Sequence, residues 1–179
     1  MLKKCRDLHF KRITTIGDGS CFLHAVLQCF NQKYNDMTAQ EKMDYVRKIR
    51  YYLSESLGEN DQRIYKSLSR KEIETISEFI PELKLENMKT YLNSNQWMTI
   101  FFLEYISNIF DIDIYIIDSK TKDLYRTGDN EIYYKKRNSI IIYYIRDLHF
   151  ESISVSTSEG NKTFFSHESY IIQKLYKLL

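Results

Sequence analysis

Apolar residues recur at helical spacing in several stretches of the chain. Residues 21–30 are apolar almost throughout, which predicts a largely buried helix. Between Thr38 and Gly58 apolar residues recur every three or four positions, and Thr38 with Glu41 matches a capping box, so a second helix is predicted there. Similar periodicity predicts helices in four further segments, which are 69–80, 83–92, 97–110 and 169–179.

Other stretches have the period or the composition of strands. A loose alternation over residues 6–15 predicts a short strand before Gly17. The run 140–145 is continuous and rich in isoleucine, which is typical of a strand covered on both faces. The Ser-, Thr- and Gly-rich stretch 154–162 predicts a loop. Shorter β-rich runs predict strands at 112–117, 124–126 and 132–134.

Composition and charge limit the class of protein. A chain of 179 residues with 43% hydrophobic content is long enough for one domain with a sizeable core. Its 26 basic and 24 acidic residues leave a formal charge of +2, which argues against nucleic acid as a partner. Three cysteines without a Cys-x-x-Cys pair predict neither a disulfide framework nor a zinc site, and they fit a reducing compartment.

The sequence also bears on location. Neither the N-terminus nor any later run has the apolar length of a signal peptide or a membrane span. We therefore expect an intracellular, cytoplasmic protein without membrane contact, acting in a host cytosol if its source is viral or bacterial.

One cysteine lies where chain geometry favours a thiolate. Residues 17–20, Gly-Asp-Gly-Ser, permit a tight turn and offer an aspartate or a serine to cap a helix that begins at Cys21. Unpaired N–H groups and the positive end of the helix dipole then stabilise the sulfur anion, and N–H groups of the same turn can hold an oxyanion. The alternative is that Cys21 is a small buried hydrophobe, as we expect for Cys29 in the middle of the helix.

Three segments together resemble a known enzyme family. Residues 18–25, Asp-Gly-Ser-Cys-Phe-Leu-His-Ala, resemble the nucleophile motif of the ovarian tumour (OTU) family of cysteine deubiquitinases. Trp97 with the helix and strand predicted after it resembles the family's tryptophan segment, and the strand 140–145 followed by His149 resembles its histidine-bearing strand. The resemblance covers roughly residues 10–153. It implies an α/β (α+β) fold of the OTU, papain-like type, with a small central β-sheet flanked by helices.

The resemblance further implies an activity. The chain would be a thiol-dependent ubiquitinyl hydrolase that cleaves isopeptide bonds after the C-terminal glycine of ubiquitin, polyubiquitin or a ubiquitin-like modifier. Cys21 would attack the carbonyl, and backbone N–H groups of Asp18, Gly19 and Cys21 would form the oxyanion hole. No metal or organic cofactor is implied, and we expect a monomer. One catalytic domain would span 1–179, with a C-terminal extension at 154–179 that contains a helix.

The general base must be one of four histidines. His24 lies on the same helix as the cysteine and is expected to pack or hydrogen-bond beneath the turn. His167 lies in the C-terminal extension, and no residue near it in the sequence suggests a catalytic role. His9 and His149 share the tetrapeptide Asp-Leu-His-Phe, but His149 follows the strongest strand, which can hold a ring rigidly. We therefore expect His149 to transfer the proton.

A third residue would orient the imidazole. Glu151 lies two residues beyond His149, on the same face of an extended strand. Asp18 from the cysteine turn is the alternative, and a centre of two residues is the third possibility. Two other functions also fit these residues: an inactive module that only binds ubiquitin, and a papain-type thiol hydrolase with a different substrate.

Overall fold

The computed structural model describes residues 8–61, 84–98, 102–127, 135–145 and 149–179. Seven strands form one mixed sheet in the order β1-β5-β4-β2-β3, with β6 paired to β5 and β7 paired to β4. The strands are β1 (Phe10–Ile13), β2 (Asp113–Asp118), β3 (Leu124–Arg126), β4 (Ser139–Ile145), β5 (His149–Thr157), β6 (Gly160–Lys162) and β7 (Phe164–Phe165). The pair β2–β4 is parallel and the other pairs are antiparallel.

Helices cover the sheet. They are α1 (Cys21–Phe30), α2 (Gln32–Asn35), α3 (Ala39–Ser56), α4 (Leu85–Leu92), α5 (Leu103–Phe110) and α6 (Tyr170–Tyr176). The predicted capping box is confirmed at α3, where the Thr38 hydroxyl accepts the Glu41 N–H and the Glu41 carboxylate accepts the Thr38 N–H. In the part of the chain that the structure describes, no helix is long and apolar enough to cross a bilayer.

The sheet separates two apolar cores. On one face, α1, α3, α4 and α5 bury their apolar sides together with Ile140 and Ile142 of β4. On the other face, Ile141 of β4 joins the second core, to which Ile172 of α6 belongs. Alternate residues of β4 therefore enter different cores, which confirms the prediction of a strand covered on both faces.

The C-terminal segment differs in part from expectation. The predicted C-terminal helix is present as α6, and it packs on the sheet through Ile171, Ile172 and Leu175. The stretch 154–162, expected to be a loop, instead continues β5 and turns into β6. Ile153 and Val155 alternate with serines and enter the second core, so this end of β5 has a buried face that a loop would lack.

The tryptophan segment also differs. The periodicity predicts a helix over 97–110, whereas α5 begins at Leu103 and Trp97 lies outside any helix. The Met98 N–H donates instead to the Gly19 carbonyl at 2.9 Å. The predicted helix at 69–80 and the predicted strand at 132–134 lie outside the described residues, as does Cys5.

Candidate active site

The cysteine loop, which we define as residues 16–20, leads directly into α1. Cys21 is the first residue of that helix and is only 2% exposed. Gly19 has φ +83°, and a Cβ there would lie 2.6 Å from the Asn95 carbonyl oxygen. Only glycine therefore fits this position without displacing the backbone that faces it. Close packing of the loop against residues 95–98 fixes the direction from which the chain enters α1.

Both carboxylate oxygens of Asp18 have partners, one in the cysteine loop and one on α1. Its Oδ1 accepts the Ser20 N–H at 2.9 Å, and its Oδ2 lies 3.0 Å from His24 Nε2. His24 is completely buried, and its Nδ1 lies 2.6 Å from the Tyr34 hydroxyl. Because a carboxylate only accepts, Nε2 carries the proton and Nδ1 accepts from Tyr34. The expectation that His24 hydrogen-bonds beneath the turn is confirmed.

Burial controls the charge of this network. Desolvation lowers the pKa of His24, although the hydrogen bond that His24 donates to Asp18 opposes that shift. Desolvation also raises the pKa of the Tyr34 hydroxyl well above its usual range, so Tyr34 stays a donor. A neutral His24 therefore links Tyr34 to Asp18, and the chain of hydrogen bonds ties the cysteine loop to α1 and α2.

A buried arginine supports the loop from behind. Arg50 of α3 is 2% exposed and donates to three uncharged acceptors. These are the Leu92 carbonyl at 2.8 Å, the Tyr91 carbonyl at 3.1 Å and the Ser20 hydroxyl at 3.1 Å. Desolvation lowers the pKa of Arg50, while Tyr91 and Asp18 oppose the shift. One guanidinium thus joins α3, the end of α4 and the residue before Cys21.

The sulfur of Cys21 has a defined neighbour. The indole Nε1 of Trp97 donates to Cys21 Sγ at 3.3 Å. The indole ring stacks on Phe150 and Tyr144, with ring centroids 5.8 Å and 6.3 Å away. Phe150 also meets Phe22 edge to face at 5.1 Å. Residues next to Cys21 and next to His149 are therefore in contact, which brings the start of α1 and the start of β5 together.

His149 is the first residue of β5, and its ring lies beside the segment that leads into the cysteine loop. Its Nε2 is 2.9 Å from the Thr15 hydroxyl oxygen. A Cβ added to Gly17 would lie 3.9 Å from His149 Cε1. The Thr15 hydroxyl has a single proton, which it donates to the Phe150 carbonyl at 2.5 Å. It must therefore accept from Nε2–H, which leaves the lone pair of the ring on Nδ1.

The two carboxylates predicted as orienting residues have other partners. Glu151 is buried and forms an ion pair with Arg12 of β1. The Arg12 pKa rises because of that hydrogen bond, and its guanidinium also lies 5.0 Å from the centre of the Tyr143 ring. Asp18 is held by His24 and Ser20, as described above. The acceptor at the His149 ring is the Thr15 hydroxyl, and the orienting role of Glu151 or Asp18 stays a prediction.

The rival histidine is distant along the sheet. The His9 carbonyl accepts the Ser156 N–H at 3.2 Å. Ser156 lies seven residues after His149 on β5, a separation of about 23 Å on an extended strand. His9 and His149 therefore belong to opposite ends of β5. Of these two histidines, His149 is the one that lies beside the cysteine loop.

The cysteines differ as expected. Cys29 is buried in the first core, and burial raises its pKa to about 12. It is a packing residue, as predicted. Cys21 occupies the helix start with an N–H donor on its sulfur.

The family model of the OTU-like cysteine proteases matches residues 16–152 of this chain. That range includes the cysteine loop, Trp97 and His149. The chain belongs to the OTU-like cysteine protease family. The resemblance found in the sequence is thereby confirmed, and the matched range lies close to the predicted core of residues 10–153.

Solved structures of OTU domains have the same fold as this OTU-like cysteine protease. An OTU domain in complex with ubiquitin is similar with a TM-score of 0.60 and 15% identity, over 94% of this chain and 81% of that chain. The Hazara virus OTU bound to ubiquitin gives 0.52 and 16%, over 85% and 84%. An OTU deubiquitinase from Wolbachia pipientis gives 0.51 and 14%, over 84% and 93%. The predicted fold class is confirmed. Among curated proteins, none matches this chain in sequence.

Two side chains of this site, those of Thr15 and Arg50, were not predicted as site residues from the sequence. Thr15 is one of two adjacent threonines in an irregular segment, and nothing local distinguishes it. Arg50 does carry a signal, because it occupies an apolar position in the helical repeat of α3. An arginine at such a position indicates a buried, hydrogen-bonded guanidinium.

Proposed function

We propose that this OTU-like cysteine protease is a deubiquitinase that hydrolyses isopeptide bonds after the C-terminal glycine of ubiquitin, with Cys21 as nucleophile and His149 as base. One observation carries the proposal. Phe22, which follows the cysteine at the start of α1, contacts Phe150, which follows the histidine at the start of β5, in a chain of this family.

The chemistry follows from these groups. The Cys21 thiolate attacks the carbonyl carbon, a C–S bond forms, and the electron pair of the carbonyl moves to its oxygen. The resulting oxyanion is held by the proposed backbone N–H groups of Asp18, Gly19 and Cys21. The His149 imidazolium then gives its proton to the leaving amine, and the C–N bond breaks to leave a thioester. Water then gives a proton to His149 while its oxygen attacks the thioester carbonyl. A C–O bond forms and the C–S bond breaks, which releases the acid product and restores the Cys21 thiolate and the His149 imidazolium.

Orientation of the base is part of this proposal. Because Thr15 accepts from Nε2–H, Nδ1 is the nitrogen available to exchange a proton with the sulfur. Glu151 forms an ion pair with Arg12 of β1. We therefore assign the orienting role to Thr15 in the resting enzyme, in preference to Glu151 or Asp18.

Ubiquitin is the proposed substrate because solved relatives of the same fold bind it. The OTU domain and the Hazara virus OTU cited above are both complexes with ubiquitin. Cys21 and Cys29 are free thiols, so we propose a reducing, cytosolic site of action. Polyubiquitin and ubiquitin-like modifiers are the related substrates to be compared.

The test is covalent capture. Wild-type protein should form a one-to-one adduct with ubiquitin that carries a C-terminal propargylamide, which reacts only with a nucleophile seated at the scissile position. Cys21→Ala should form none, whereas Cys29→Ala should label like wild type. A panel of diubiquitins covering every linkage then gives the preference among isopeptide bonds.

The outcomes separate the alternatives. Binding of ubiquitin without labelling or cleavage would identify an inactive ubiquitin-binding module. Alkylation of Cys21 by small electrophiles, without reaction with ubiquitin or with probes of ubiquitin-like modifiers, would identify a thiol hydrolase for another substrate. Cleavage by folded Cys21→Ala would refute the assignment of the nucleophile.

A further inference from the structure

The sulfur of Cys21 accepts a hydrogen bond from a side chain outside the proposed cysteine–histidine pair. Trp97 Nε1 lies 3.3 Å from Sγ. Cys21 is 2% exposed, so water has little access to the residue. In such surroundings a hydrogen bond to a charged acceptor contributes more than one to a neutral acceptor. An N–H at this distance is therefore placed to interact more strongly with a charged sulfur than with a neutral one.

The indole is held in place by groups other than the sulfur. The Tyr91 hydroxyl donates to the Trp97 carbonyl at 2.5 Å, and the next residue, Met98, donates its N–H to the Gly19 carbonyl at 2.9 Å. The ring itself stacks on Tyr144 and Phe150. Backbone anchors and stacked rings thus fix where the N–H points. It is preorganised toward the sulfur and does not depend on the sulfur for its position.

We propose that the Trp97 indole N–H is a further catalytic group, which stabilises the resting Cys21 thiolate by a direct hydrogen bond. The inference rests on the proposed role of Cys21 as nucleophile. When the sulfur attacks the carbonyl, its negative charge passes to the substrate oxygen, so the indole bond weakens as the C–S bond forms. Trp97 therefore acts on the population of reactive thiolate. Its loss should lower kcat and leave KM nearly unchanged.

The Trp97 ring can be replaced without changing any other residue. Trp97 is its single tryptophan, so a tryptophan analogue supplied during expression replaces this ring alone. β-(3-Benzothienyl)alanine keeps the size and stacking of the bicyclic ring but has sulfur in place of N–H. 5-Fluorotryptophan keeps the N–H and controls for the incorporation itself. Trp97→Phe removes the donor by ordinary mutagenesis.

The experiment measures the rate at which iodoacetamide alkylates Cys21 near neutral pH. It uses a Cys5→Ala, Cys29→Ala background, which leaves Cys21 as the only one of the three cysteines. The benzothienyl protein should react about tenfold more slowly than the 5-fluorotryptophan protein, because a hydrogen bond to a charged group is lost. Trp97→Phe should be slowed by a similar factor. Rates within twofold of each other in the two analogue proteins would overturn the inference.

Fluorescence gives an independent readout of the contact. The tryptophan emission of the protein comes from Trp97 alone. The Cys21 thiolate in contact with the indole should quench this emission, so alkylation of Cys21 should raise it. The same reagent should leave the emission of Cys21→Ala unchanged. An emission that does not respond in the Cys21 protein would count against the N–H···S contact.

The two proposals fail in different ways. Equal alkylation rates combined with normal labelling by the ubiquitin probe would overturn the role of Trp97 and leave the deubiquitinase proposal intact. Absence of labelling by the ubiquitin probe would overturn the deubiquitinase proposal, whatever the alkylation rates are.

Discussion

The cysteine loop and the start of β5 supply the two halves of the proposed catalytic pair, and they are held very differently. The loop is braced from several elements, by His24 through Asp18, by Arg50 through Ser20 and by Met98 through Gly19. The ring of His149 is half-buried, and among the residues that the structure describes its hydrogen-bond partner is a neutral hydroxyl, that of Thr15.

Substitutions in these two regions should therefore affect stability and catalysis to different extents. Groups that brace the cysteine loop are also parts of the buried interior, so their loss should reduce both folding stability and turnover. Groups around His149 lie at the start of a strand, so their loss should reduce turnover alone.

Removal of the base is the most severe test of the histidine half. We expect His149→Ala to lower kcat by about 10³-fold or more, because the base and the nucleophile act as a unit. The melting temperature should stay close to wild type. His9→Ala is the matched control, since it removes the other copy of the Asp-Leu-His-Phe motif at the far end of β5. Diubiquitin cleavage by the two variants measures the contrast, and the reverse ranking would assign the base to His9.

Loss of Arg50 tests the cysteine half. Arg50→Met leaves the Leu92 carbonyl and the Ser20 hydroxyl without the buried guanidinium donor, whereas the Tyr91 carbonyl keeps its hydrogen bond from the Ser94 hydroxyl. We expect unfolding in urea to become about 3 kcal/mol easier, since an unsatisfied buried polar group costs on the order of 1–3 kcal/mol. Arg47→Met, on the exposed side of the same helix, should change the free energy of unfolding by less than about 0.5 kcal/mol. Equal stabilities of the two variants would show that the guanidinium does not brace the loop.

Substitutions of Thr15 and Glu151 test whether a hydroxyl or a carboxylate orients His149. Thr15→Ala should lower kcat about tenfold, the effect of one positioning hydrogen bond, while KM and the melting temperature change little. Thr15→Ser keeps the acceptor and should restore most of the rate. Glu151→Ala should stay within a few-fold of wild type, because its partner is Arg12. A graded loss from Glu151→Gln to Glu151→Ala would instead assign the orienting role to Glu151.

The pH dependence of stability is the smallest expected effect, and it belongs to the cysteine half. The folded protein holds the pKa of His24 below its unfolded value, which is about 6.5. Between the folded pKa and about 6.5 the unfolded chain binds more protons, so stability is complete above that window and declines as pH falls through it. Asp18 and Tyr34 contact the ring, and Lys42 and His149 act on it from further away.

Urea unfolding between pH 7.5 and 5.5 measures this effect. His24→Gln keeps a donor and an acceptor but does not titrate, so its stability should fall less steeply toward low pH than that of wild type. His167→Gln, in the C-terminal segment, should follow the wild-type curve. Parallel curves for wild type and His24→Gln would show that His24 protonation does not limit stability.

The sequence predicts the parts of this protein that depend on neighbouring residues. The capping box at Thr38 and Glu41 follows from local hydrogen bonds, and the start of α1 at Cys21 and the double burial of β4 follow from the period of apolar positions. The expectation that a side chain of Asp18 or Ser20 caps α1 is wrong, because Ser20 is the N-cap residue without a side-chain capping hydrogen bond. The motif around Cys21 and the strand before His149 also identify the family. The loop expected at 154–162 is a hairpin because the face of β5 meets a second core, which local composition does not reveal.

The side-chain partners were decided by the tertiary structure. Thr15 and His149 are 134 residues apart, Arg12 and Glu151 are 139 apart, and Trp97 and Cys21 are 76 apart. On the same face of β5, Glu151 has the right position to reach His149, yet the pairing of β1 beside it brings Arg12 to that carboxylate. A carboxylate in a buried site takes the nearest cation, because an unpaired charge there is costly. Which neighbour stands nearest is a property of the assembled sheet, and no local pattern in the chain encodes it.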